Sequence, residues 1–206
     1  MTGPGHGTLM PMTNPLKIIV IGAGGTLGSA VARQLADHGH QVVPAARRGP
    51  VRVDLADPAT VDALFTSVRD VDAVVCCAAS GRLTPLDSPS DEDFTTGLHG
   101  KLLGQVHLVR RAIHHLRDGG GIVLTGGTFE KPTPGGSFGA LVNAGLEAFV
   151  HAAAPEMPRG LRLSVVSPGW LAETLAAMGL DPADGTPADE VARRYVARIE
   201  ALPAAG

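Results

Sequence analysis

The run Gly22-Ala23-Gly24-Gly25-Thr26-Leu27-Gly28 combines residue types and spacing that suit a phosphate ligand. Residues without a Cβ permit a tight turn and let backbone N–H groups come close to a pyrophosphate. The β-branched stretch Ile18-Ile19-Val20-Ile21 precedes the run, and a segment with helical spacing follows it. A helix N-terminus, with free N–H groups and partial positive charge, therefore stands behind the glycines. This strand–turn–helix context makes the run a candidate dinucleotide site, against the alternative of an ordinary glycine-rich turn. About twenty residues on, an NAD site would carry Asp or Glu for the ribose 2′-hydroxyl. This chain has Ala45-Ala46-Arg47-Arg48 instead. Guanidinium groups pair with a 2′-phosphate that a carboxylate would repel, so the expected cofactor is NADP(H). The alternative for Arg47 and Arg48 is two solvated loop arginines.

Apolar runs and periodicity supply the elements that must hold these groups. Strands are expected at 18–21, 41–46, 51–53, 72–78, 121–125 and 162–166, and helices at 26–38, 60–68, 91–98, 99–117, 139–157 and 187–202. Alternating strands and helices of these lengths predict a doubly wound parallel α/β sheet of about six strands, a Rossmann fold in three layers. Residues 1–15 lack periodicity and read as a disordered tail; 16–206 form one NAD(P)-binding domain. In helix 99–117, Leu102, Val106, Val109, Ile113 and Leu116 form a narrow apolar seam, while helix 139–157 is apolar almost all round. Covering a sheet needs only one apolar stripe. The second apolar face predicts either deep packing within the monomer or a homodimer, extensible to a tetramer, made by these two helices.

Composition narrows the partners. A formal charge of −3 in 206 residues offers no broad basic surface for nucleic acid or an anionic membrane, and apolar runs fall short of a membrane span. Cys76 and Cys77 are adjacent, unsuited to a disulfide framework or zinc spacing, so a cytoplasmic setting is expected. The scattered histidines suggest no metal cluster.

The order of these motifs resembles the short-chain dehydrogenase/reductase family over nearly the whole chain. The resemblance rests on the 22–28 turn, Asp54-Leu55, Cys77-Ala78-Ala79-Ser80-Gly81, Lys101-Leu102-Leu103-Gly104 and Ser167-Pro168-Gly169-Trp170. It implies that Gly22, Gly24, Gly25, Thr26, Leu27 and Gly28 cradle the cofactor and that Asp54, with Leu55, meets the adenine. Ala78, Ala79 and Ser80 would line a ribose, Pro168 and Gly169 would flank the nicotinamide, and Thr174 would lie near the carboxamide and pyrophosphate. The family's chemistry rests on a Tyr and Lys four residues apart, a Ser before them and a relay Asn. Here Gly139, Asn143, Gly126 and Lys101 fall at or beside those positions, and the sole tyrosine, Tyr195, is far along the chain. The chain is thus similar to a small atypical subgroup that keeps the cofactor motif without the usual catalytic residues.

Three residues could still act in the cleft. A partly buried Lys101 would have a lowered pKa and serve as an acid or hold an anionic oxygen. Thr125 could offer a hydroxyl in place of the Ser, and Asn143 could hydrogen-bond the cofactor ribose or a substrate carbonyl. Solvated or structural roles remain open for each. The expected activity is an NADP(H)-dependent oxidoreductase acting on a small carbonyl or alcohol with a non-standard proton donor. Two alternatives stand beside it: a non-redox isomerase, cyclase or dehydratase on the same fold, or a catalytically inactive NADP(H)-binding sensor.

Overall fold

The computed structural model describes residues 15–78 and 82–203. Five parallel strands form one sheet: β1 (Lys17–Ile21), β2 (Gln41–Ala45), β3 (Val71–Cys76), β4 (Leu116–Thr125) and β5 (Arg162–Val166), in the spatial order β2-β1-β3-β4-β5. β3 is buried along its whole length and lies at the centre, as valine-rich runs do in sheets covered on both faces. The helices are α1 (Thr26–Asp37), α2 (Pro58–Ser67), α3 (Asp91–Phe94), α4 (Gly104–Ala112), α5 (Ser137–Ala153), α6 (Ala172–Ala177) and α7 (Ala188–Glu200). One core joins Val20, Val75 and Val123 of the sheet to Leu35, Tyr195 and Ile199 of α1 and α7. The other joins Ile21, Val74 and Leu124 to Phe65, Leu108 and Leu146 of α2, α4 and α5. The molecule is therefore the doubly wound, three-layered Rossmann architecture expected. The winding reverses beside β1, which opens a crevice at the carboxyl ends of the strands.

Several expectations are corrected. The sheet has five strands among the described residues, because 51–53 adds none. That segment is too short to extend the sheet and folds back on the end of β2: Ala46 N–H donates to Val51 O, Val53 N–H donates to Ala46 O, and a single bridge links Ala46 with Arg52. The long helix expected over 99–117 stops at Ala112, and its first part is a wide π-helical turn, Leu98–Leu103. Its buried face is Gly104, Gln105, Leu108, Val109 and Ala112, so Leu102, Val106 and Ile113 of the seam are only half-buried. α5 buries Val142, Asn143, Leu146 and Val150 but exposes Ala140, Leu141, Ala144 and Ala148, with Leu141 62% exposed. The expected tail, apart from Pro15, lies outside the described residues, as do Ala79, Ser80 and Gly81.

Candidate functional site

The glycines between β1 and α1 divide into two pairs. Gly22 has φ +84°, and a Cβ there would sit 2.6 Å from Ala78 N; a Cβ on Gly28 would overlap Gly22 O. These two are required for the turn to close. Among the described residues, a Cβ on Gly24 would meet nothing within 4 Å, and one on Gly25 would meet Gly22 O at 3.4 Å. No side chain caps α1 at Gly25, so its first N–H groups face this open space. The absent Cβ atoms thus leave a cradle of the kind a pyrophosphate fills.

Arg47 and Arg48 are exposed just beyond β2, and the Ala46–Arg52 bridge brings Arg52 alongside. None of the three forms an ion pair among the described residues. Asp54 turns one carboxylate oxygen onto Ala56 N–H at 3.0 Å. The carbonyl of Leu55 lies so close to α4 that a Cβ on Gly104 would sit 2.7 Å from it.

From the cradle a cavity of about 400 Å³ runs across the ends of β3, β4 and β5. Gly25, Thr26, Leu27 and Gly28 line it together with Lys101, Thr125, Asn143, Pro168, Gly169 and Thr174. Phe129 and Trp170 form an apolar wall, their rings edge to face with centroids 6.0 Å apart. Trp170 is the only tryptophan in the chain.

Lys101 owes its position to the π-helical turn. Gly97, at φ +102°, lets the chain enter the turn, and its carbonyl accepts from both Lys101 N–H at 2.8 Å and Leu102 N–H at 3.1 Å. Gly104 N–H then donates to His99 O, five residues back. The fully buried Gln105 ties this turn to the end of β4. Its amide N–H groups donate to Lys101 O at 2.8 Å and Thr125 O at 3.0 Å, and its Oε1 accepts from Thr125 N–H at 3.0 Å. The Lys101 ammonium has no hydrogen bond or ion pair among the described residues, and burial lowers its pKa from the usual lysine range.

Thr125 and Asn143 fare differently. The Thr125 hydroxyl donates to Cys76 O at 2.5 Å and accepts from Tyr195 OH at 2.7 Å. Thr125 thus reaches the cavity while its hydroxyl oxygen serves a buried link to α7. Burial raises the pKa of Tyr195 and Cys77, and pushes the Cys76 thiol up to about 12, so none of these is ionised there. Asn143, by contrast, carries a buried Oδ1 with no partner among the described residues. A buried acceptor left unpaired is costly, so a ligand hydroxyl donor suits it.

Gly126 and Gly139 also line the cavity. A Cβ on Gly126 would sit 2.5 Å from Ser167 Oγ, and one on Gly139 would sit 3.4 Å from the Phe129 ring. A side chain at Gly126 would require Ser167 to shift, whereas one at Gly139 would meet the Phe129 ring at ordinary contact distance. Sequence reasoning missed Gln105, Phe129 and the wall role of Trp170. Gln105 alone left a trace, as a polar residue on an otherwise apolar helix face. Among the described residues, no group of three or more His, Cys, Asp or Glu side chains could hold a metal ion.

Comparison with known proteins gives a consistent result. The sequence model of the family described as Enoyl-(Acyl carrier protein) reductase matches residues 22–201. The structure of protein lin1944 from Listeria innocua is 34% identical, covers 92% of this chain and 96% of its own, and superposes with a TM-score of 0.84. The short-chain type dehydrogenase/reductase y4vI of Sinorhizobium fredii is 29% identical over 87% of this chain. The chain spans only 38% of the length of y4vI. A small-chain dehydrogenase solved in complex with NADPH shares the fold at 22% identity, with a TM-score of 0.77 over 91% of this chain and 92% of that one.

Proposed function

The chain belongs to the short-chain dehydrogenase/reductase family, and from that premise we propose that it binds NADP(H) and interconverts a small carbonyl compound and its alcohol, with Lys101 as the proton donor. The observation that carries this reading is the cradle: open space over Gly24 and Gly25, in front of an uncapped helix start, continuous with a cavity that Lys101 enters. Arg47, Arg48 and Arg52, without an ion pair among the described residues, and the missing acid beyond β2 support the phosphorylated cofactor. The NADPH complex of the structural neighbour agrees with it.

Bound NADPH supplies a hydride equivalent for the carbonyl carbon. The chain's own residues orient the reactants and manage the proton. Asn143, which borders the cavity, would offer its unpaired amide oxygen to a cofactor ribose hydroxyl. Trp170 and Phe129 offer an apolar surface to the reacting face. The Lys101 ammonium gives one proton to the developing alkoxide oxygen and regains it from water. Desolvation favours this role, because it brings the lysine pKa down toward the working pH.

A binding-only sensor is the second reading, favoured by the loss of side chains at Gly126 and Gly139 and the engaged Thr125 hydroxyl. A titration with NADPH and NADH, followed by quenching of Trp170, separates them. NADPH-selective binding that weakens at least tenfold in Arg47→Glu supports the cofactor reading, and no response to either nucleotide overturns it. Reduction of carbonyl compounds that disappears in Lys101→Met supports the enzyme; binding without any turnover supports the sensor. The exposed Ala140, Leu141, Ala144 and Ala148 face suits a homodimer through α4 and α5. The free thiols of Cys76 and Cys77 suit a cytoplasmic setting. Among the described residues, no helix is long and apolar enough to cross a membrane.

A further inference from the structure

The charge balance of the cavity singles out a class of substrate. Among the described residues two charged side chains line it, Lys101 and Arg82, both cations; no carboxylate is in the lining, the Glu130 Oε1 lying 3.9 Å from where a Cβ on Gly169 would sit. Arg82 sits at the exposed edge, where Asp93 answers it at 2.9 Å. Lys101 is half-buried and has no counter-charge among the described residues. Proteins pair buried charges, since an unpaired one loses hydration without compensation. The rest of the lining mixes neutral polar residues, Thr96, Thr128 and Asn143 among them, with an apolar patch of Leu83, Phe129, Val142 and Trp170.

We infer that the substrate is a small carboxylate with an apolar body, and that its carboxylate pairs with Lys101 beside the reacting carbonyl. This rests on the oxidoreductase reading above and adds the substrate class. An ammonium carries three donors without fixed directions. One can hold the carboxylate while another meets the oxygen of an adjacent carbonyl, which describes a 2-oxo acid or the matching 2-hydroxy acid. The cofactor's own phosphates have a separate seat in the open cradle at the α1 start. A phenyl or branched alkyl body fits the wall of Phe129 and Trp170. The volume of about 400 Å³, shared with the nicotinamide, excludes a long chain.

The test uses phenylglyoxylate and its neutral amide, phenylglyoxylamide, as a pair alike in shape and different in charge. Each is titrated against the protein alone and against its NADP⁺ complex, which cannot deliver a hydride, with Trp170 fluorescence as the readout. The expected result is at least tenfold tighter binding of the acid than the amide. That preference should vanish in Lys101→Met, persist in Lys101→Arg, and leave NADPH affinity within about twofold in both variants. Equal binding of acid and amide overturns the proposal. So does no response to the acid, a preference that survives Lys101→Met, or a preference lost when NADP⁺ binds, which would assign Lys101 to a cofactor phosphate. Failure of NADPH to bind wild-type protein would instead overturn the cofactor reading, since the acid–amide comparison on protein alone does not depend on it.

Discussion

Replacing Gln105 with leucine keeps nearly the same volume while removing every bond that joins the Lys101 turn to β4. Three hydrogen bonds go, two donated to the carbonyls of Lys101 and Thr125 and one accepted from Thr125 N–H. The carbonyls have further lone pairs, so each loss there costs about 1 kcal/mol. The Thr125 N–H has one proton to donate, and stranding it in the interior costs roughly 1–3 kcal/mol. Burial of the added apolar surface returns about 1 kcal/mol. The net expectation is a destabilisation of about 2–4 kcal/mol, read from urea unfolding with an unchanged dependence on denaturant. Residual folded protein should also bind phenylglyoxylate more weakly, because the turn that presents Lys101 has lost its tether. A stability loss below about 1 kcal/mol would refute the reasoning, since it would mean that the buried Thr125 N–H finds another partner at little cost.

Alanine at the two kinds of glycine should separate folding from binding: Gly24→Ala should leave thermal stability nearly unchanged and weaken NADPH at least tenfold, whereas Gly28→Ala, whose Cβ would overlap Gly22 O, should unfold the turn and lower the melting temperature markedly. His40 gives a pH dependence, because burial lowers its pKa while its Nδ1 accepts from Leu16 N–H at 3.3 Å and its Nε2 has no partner among the described residues. The unfolded chain therefore takes up the proton first, so stability is full above the ordinary histidine value of 6.5 and falls as pH drops through it toward the lower folded value. Unfolding curves from pH 8 to 5 should show a shallower loss in His40→Asn, whose side-chain carbonyl keeps the acceptor and does not titrate. Leu141→Glu, on the exposed face of α5, should convert a dimer to monomers by sedimentation without lowering monomer stability by more than about 0.5 kcal/mol.

The elements that hold the cradle were legible because their signals are local. A β-branched run, glycines at close spacing and a helix with a single apolar face all lie within the stretch 18–38, and the same local logic located β3, β5 and α7. The site beyond the cradle depends on contacts that local patterns do not encode. Tyr195 reaches Thr125 across 70 residues, and Gln105 reaches Thr125 across 20, so the engagement of the threonine hydroxyl could not be read from its neighbours in sequence. The expected strand at 51–53 has the right residue types, yet too few of them to compete with the folded-back pairing to Ala46. The expected continuous helix at 99–117 failed for a different reason. Periodicity reports which residues are apolar, and says little about a single extra residue that shifts the phase of everything after it.

That phase shift bears on how such a site can change over time. In a regular helix each residue turns the next by about 100°, so the residues that face a ligand and those that pack the core share one clock. The five-residue step from Gly104 back to His99 interrupts that clock between Lys101 and the buried Leu108, Val109 and Ala112. Loss of one residue from the turn would swing Lys101 away by about a quarter of a revolution while α4 kept its seat against the sheet. An insertion or deletion there retunes what the cavity presents without disturbing what holds the domain together. The wide turn therefore acts as a mutational joint, through which the fold can exchange one ligand-facing chemistry for another.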